Sequence, residues 1–328
     1  MRLLYPFLIF LLIIPIQMVA QTLEYSIPPS CKGEVSKKDY QTIAELALPI
    51  VSKRFEIKSL KGGTITLKSG QSLQAINLDN LVLKCVAEAD RNQWKAIVQT
   101  HFEQGFASLD SQNTFNLSDF ESIKPHLSLR IYPKLWIDSR GGPSLFVTRV
   151  DLEGTYTLLM LDLPTTFAPV MQKTFVEWKE SADTAFGIAQ GHVNEKQIDK
   201  VTKTFDNNGA AFEMTLLGNE DYAASFALDL VHTMPELVGE WGSVVAIPNK
   251  GLVNVCKISP QVPVDFVNFI QKTMPVIQAS YKDHPQGISP DYFWYFDGKF
   301  TKITVLQSPN GGINVISPEG LTKLMGEK

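Results

Sequence analysis

Beyond residue 36 the chain alternates between two kinds of spacing. Tyr40, Ile43, Ala44, Ala47, Ile50 and Val51 recur three and four apart, and Ser36 followed by Asp39 makes a capping start; together they predict a helix over about 37–54. The stretch GGTITLKSGQSLQAINLDNLVLKCV alternates apolar and polar residues around Ser69 and Gly70, the pattern of a hairpin. A second helix is predicted over about 91–108, where Trp94, Ile97, Val98 and Phe102 share a face. Asn, Ser and Asp then cluster between Leu109 and Lys124, which places a lobe boundary there and separates 21–115 from 125–328.

The second lobe opens with HLSLRIYPKLWI. Leu127, Leu129 and Ile131 fall on one face of a strand and Ser128, Arg130 and Tyr132 on the other, while Pro133 marks an edge or a bulge. Strands are predicted near 144–150 and 155–162, helices over 168–178 and 181–191, the second with Ser181 as N-cap. Strands near Lys200 and Phe212, a helix over 220–232 and a long helix over 264–281 follow. In GEWGSVVAIPNKGLVNV, Pro248 to Gly251 are turn residues between two strands that are apolar on nearly both faces, so this hairpin is expected to be central in its sheet. YFWYFDGKFTKITV closes the lobe as a hairpin turning at Asp297 and Gly298. Hairpins dominate the strand pairs, so the fold class is α+β, mostly antiparallel sheet with interspersed helices, in two packed lobes.

The first residues change the picture of where the protein works. Arg2, an apolar run from Leu3 to Ile16 and small or polar residues around Ala20 have the layout of a secretory signal peptide over 1–20, cut after Ala20; an uncleaved anchor is the rival reading. The expected localisation is exported, periplasmic or extracellular, with no membrane span in the mature chain. A net charge of -4 gives no reason to expect a nucleic-acid partner. Cys31, Cys85 and Cys256 allow three pairings, and Cys31 with Cys85 is the expected disulfide because both fall in the first lobe; no disulfide at all is the alternative.

The order of elements resembles the YtpQ-like family, bacterial proteins classed under a domain of unknown function. The residues that carry the resemblance are INLDNLV at 76–82, LRIYP at 129–133, Trp178 followed by a short helix ending AQGHV, DYAAS at 221–225, AIP at 246–248 and the closing aromatic hairpin. This chain has His192 where such proteins tend to have Asn, and it carries an export signal where they are usually cytosolic. The resemblance implies no catalytic residue.

Candidate chemistry is sparse. Ser225, Asp229 and His232 lie at i, i+4 and i+7, but seven helical residues rise about 10.5 Å and put the acid in the middle, so a hydrolase triad is rejected. His192 and Glu195 offer two metal ligands without a third, and no metal or cofactor is expected. No G-x-S-x-G, Walker or G-x-G-x-x-G motif occurs. Arg130, Tyr132, Trp136, Asp138 and Arg140 put aromatic and guanidinium groups on a predicted edge strand and the loop after it, the residue types of binding hot spots. A protein or peptide partner could add to such an edge. The expectation is an exported, non-enzymatic binding or envelope-associated module; the alternative is a hydrolase-type enzyme whose site is assembled from distant segments.

Overall fold

In the computed structural model the described residues are 22–68, 75–114, 116–163, 166–207, 210–307 and 312–326. The predicted leader and the predicted turn at Ser69 and Gly70 lie outside them. The chain divides into two compact units, Met1–Phe106 and Ala107–Lys328, so the division falls ahead of the polar stretch chosen from the sequence.

The first unit runs β1 (Thr22–Leu23), α1 (Lys37–Ser52), β2 (Ile57–Lys61), β3 (Thr64–Leu67), β4 (Ala75–Asn77), α2 (Asp79–Ala87) and the start of α3 (Trp94–Thr114). Ser36 caps α1 by accepting from the Asp39 amide, and Tyr40, Ile43, Ala44, Ala47 and Val51 form its buried stripe. The strands pair in the order β1-β2-β3-β4. DNLVLKCVA is a helix, not the second arm of a hairpin. The Asn77 side chain accepts from the Asp79 amide at 2.7 Å, and Leu81, Val82 and Cys85 then face inward at helical spacing.

The second unit continues with α4 (Phe120–Ile123), β5 (Leu127–Pro133), α5 (Lys134–Asp138), β6 (Thr148–Arg149), β7 (Thr155–Leu163), β8 (Thr166–Pro169), α6 (Gln172–Trp178) and α7 (Ala182–Asn194). It then runs β9 (Asp199–Asn207), β10 (Ala210–Gly218), α8 (Ala223–Phe226), α9 (Leu230–Thr233), β11 (Ser243–Asn249), β12 (Leu252–Lys257), α10 (Asp265–Asp283), β13 (Tyr292–Phe296), β14 (Lys299–Gln307), β15 (Ile313–Ile316) and α11 (Glu319–Gly326). One sheet has seven strands in the order β15-β14-β13-β11-β12-β10-β9; the other has order β5-β7-β6, with β8 also on β7. All their pairs are antiparallel, and the α+β class follows.

The hairpin β11–β12 is central, as its double-sided apolar sequence demands: every residue of β11 is buried. Val245, Ile247, Val253 and Phe293 enter a core shared with Leu129, Leu159, Phe186 and Ala189, whereas Val244, Ala246 and Trp294 enter a second core with Phe266, Phe269, Ile270 and Ile277 of α10. Asp297 and Gly298 both take positive φ, 50° and 69°, in the β13–β14 turn.

Two helix expectations needed correction. The segment predicted as one helix over 168–178 begins as β8, because the residue before Pro169 is held extended, and helix starts only at Gln172. The predicted helix 220–232 breaks into α8, a tight turn over Ala227–Asp229, and α9. Asp229 takes φ -129° and ψ 43°, and its carboxylate holds the Asn194 amide at 2.7 Å and His232 Nδ1 at 2.6 Å.

Candidate functional site

The candidate residues lie on β5 and just beyond it. Among the described residues β5 pairs only with β7, so by pairing it is an edge strand. Its residues Leu127 to Ile131 are nevertheless all buried, so an extended peptide has no open edge there. The sheet-edge mode of binding is therefore set aside on geometry.

Arg130, which recognition would require at the surface, is only 8% exposed. A guanidinium is tolerable at that depth only with partners. Nη2 donates to Asp221 Oδ1 at 2.5 Å, Nη1 donates to Gln286 Oε1 at 3.2 Å, and the group lies 3.7 Å over the Phe167 ring. Nε is buried and has no hydrogen-bond partner among the described residues. Lys250 Nζ shares the same carboxylate oxygen at 2.7 Å. Burial pushes the Asp221 carboxyl up, but the Lys250 and Arg130 bonds and charges outweigh it and hold the group below the usual carboxylate range. Next along the chain, the Tyr222 hydroxyl donates to Asp162 Oδ2 at 2.5 Å, which also takes Lys196 Nζ at 3.1 Å. Burial first, then Asp162, raises the Tyr222 phenol far above its ordinary value. The result is two carboxylate hubs, Asp221 holding two cations and Asp162 holding one cation and a phenol.

Tyr132, Trp136 and Arg140 form a column beside this cluster. The Tyr132 and Trp136 rings stack with centroids 4.4 Å apart and planes 20° apart; the Arg140 guanidinium lies 3.6 Å over the Trp136 ring. A near-parallel phenol and a guanidinium cannot share one face at those distances, so both faces of the indole are covered and only its rim is free. Arg140 Nη1 also donates to the Trp136 carbonyl at 3.2 Å, closing the turn after α5. Trp136 remains 37% exposed, with Leu135 at 82% and Leu145 at 43%. Burial raises the Tyr132 phenol, against the pull of Arg130 and Arg140. Asp138 is exposed and does not join the column.

Of the five sequence candidates, three thus form one unit, with Trp136 and Arg140 exposed and Tyr132 half-buried, while Arg130 lies inward and Asp138 stands apart. Asp162, Lys196, Asp221, Tyr222, Lys250 and Gln286 were missed as a set. One signal pointed to them: a buried arginine inside the apolar strand LSLRIYP needs an acid within reach, and DYAAS supplies it.

The remaining sequence features are accounted for locally. Ser225 is buried and its hydroxyl donates to the Tyr222 carbonyl at 3.2 Å, so it does not serve the Asp229 and His232 pair. His192 Nδ1 lies 2.9 Å from the Leu127 carbonyl, and among the described residues no three His, Cys, Asp or Glu side chains are grouped to hold a metal. Cys31, Cys85 and Cys256 are all buried free thiols, so the expected Cys31–Cys85 bridge is not formed; the Cys31 thiol points instead to the Asp79 carbonyl at 3.8 Å. Among the described residues no helix is long and apolar enough to cross a membrane. Comparisons with protein-family models, curated proteins and solved structures give no match to this chain.

Proposed function

We propose that this chain is a binding module rather than a catalyst, exported and working at the cell envelope, and that it takes a protein or peptide partner on the Trp136 column. The observation that carries the reading is an indole 37% exposed yet fixed between Tyr132 and Arg140, with the preceding residue, Leu135, and, nine residues on in the chain, Leu145 also uncovered. A fixed aromatic loses little conformational freedom on binding, which is why such residues dominate hot spots. Because both indole faces are occupied, a flat sugar or base has nothing to stack on. The free rim and the two leucines suit an apolar side chain of a polypeptide. Export rests on the leader alone, and membership of the YtpQ-like family rests on the short motifs given above. Two of those motifs meet in the fold, through Arg130 of LRIYP and Asp221 of DYAAS.

The test is a displayed random-peptide library selected on the wild-type chain and read against Trp136→Ala and Leu135→Ser. The expected result is enrichment of peptides sharing an apolar anchor, with at least tenfold weaker binding to either variant. Peptides that bind the variants as well as the wild type, or no enrichment, would overturn the proposal.

A further inference from the structure

β9 is an outer strand of the seven-stranded sheet. It pairs with β10 along nine residues and, among the described residues, with no other strand. Asp199 to Thr204 are all exposed, Val201 at 48%. An edge of this length offers a row of unpaired backbone donors and acceptors to another strand; the opposite edge, β15, has only four residues.

We infer that β9 pairs antiparallel with β9 of a second copy of this chain, joining two seven-stranded sheets across a two-fold axis at Lys203. The strand sequence, DKVTKTFDN, is close to symmetric about that residue. In this register Thr202 meets Thr204, Val201 meets Phe205 and, by sequence, Lys200 meets Asp206 of the other copy. Hydroxyl pairs, aromatic with β-branched pairs and opposite charges are the cross-strand combinations that stabilise antiparallel sheets. Centring the pair on Thr202 instead sets Lys203 against Val201 and Lys200 against Thr204, and centring it on Thr204 sets Lys203 against Phe205; neither matches like with like. Lys200 bonds Glu236 of its own chain at 2.8 Å, but that pair is exposed and readily exchanged. Phe205 is held against Phe212, with centroids 5.4 Å apart, so its ring is already oriented. Lys203 meets its own copy, a like-charge contact that keeps the association weak and reversible.

Sedimentation velocity of the whole chain over a micromolar concentration series is expected to show a monomer–dimer equilibrium. Lys203→Thr should tighten it at least fivefold, and Thr202→Lys with Thr204→Lys, which brings lysines into direct opposition, should weaken it at least tenfold. Lys203→Cys should cross-link two copies under mild oxidation. Lys200→Cys should not, since its two copies would stand six residues out of register, about 20 Å apart. The native thiols are all buried and do not compete. A monomer at every concentration in all variants, or equal cross-linking at positions 200 and 203, would overturn the inference.

Discussion

The shared carboxylate of Asp221 makes the two ends of its ion pair unequal, and mutation should show it. Arg130→Met removes a guanidinium that is 9% exposed but leaves Asp221 with Lys250 at 2.7 Å, while methionine keeps apolar contact with Phe167. Replacing a buried charge by an apolar side chain of similar volume, with its counter-ion still paired, is near neutral, about 0–1 kcal/mol. Asp221→Ala is different: it strands Arg130 and Lys250 together, two cations only 9% and 18% exposed. Breaking a buried pair from one side costs about 3–5 kcal/mol. Asp221 itself is 38% exposed, which places this change at the lower end, about 3 kcal/mol. For a unit of this size that is a melting shift of about 6–12 °C. Thermal and urea unfolding followed by tryptophan fluorescence would measure it, because Trp136, Trp178, Trp241 and Trp294 all lie in the second unit. Equal losses in the two variants, or a larger loss in Arg130→Met, would show that Asp221 is not the hub.

Three further outcomes follow from the same geometry. The Asp221 carboxyl is held below its unfolded value, about 3.9, so its contribution to stability is present above that pH and lost as pH falls through the folded pKa; Asp221→Asn should flatten that acid limb, and an unchanged limb would contradict the assignment. Burial pushes the Cys85 thiol up to about 11 and the Cys256 thiol up to about 12, so a thiol reagent at neutral pH should find almost nothing in the native chain and three groups in denaturant. A single free thiol in denaturant would instead mean a bridge. Trp136→Ala removes a side chain that is stacked but 37% exposed, so the expected loss is about 1 kcal/mol, well under the 3–5 kcal/mol of a core aromatic; a full core-sized loss would mark the column as packing alone.

What the sequence made legible is what two-residue and 3.6-residue periodicity encode. The central β11–β12 hairpin, the Asp297–Gly298 turn, the Ser36 and Ser181 caps and α10 were all readable because each is set by residues within a few positions of one another. Two of the errors share a physical source. INLDNLVLKCV reads as an alternating strand until the Asn77 side chain takes the Asp79 amide, and the 220–232 helix reads as continuous until Asn194, from a distant helix, takes hold of Asp229. In each case a side-chain hydrogen bond outweighs the local pattern, and in the second its donor is more than thirty residues away in sequence. The same is true of the candidate site. Tyr132, Trp136 and Arg140 are spaced four apart, and their column was visible as a run of aromatic and basic residues. Arg130 belongs to the same run in sequence, yet its neighbours in space come from Phe167, Asp221 and Gln286. Strand alternation assigns it to a face of the sheet but says nothing of what covers that face. A charged residue within an apolar strand therefore identifies a charged partner by necessity before it identifies a surface, and LSLRIYP should be read as a demand for an acid elsewhere in the chain.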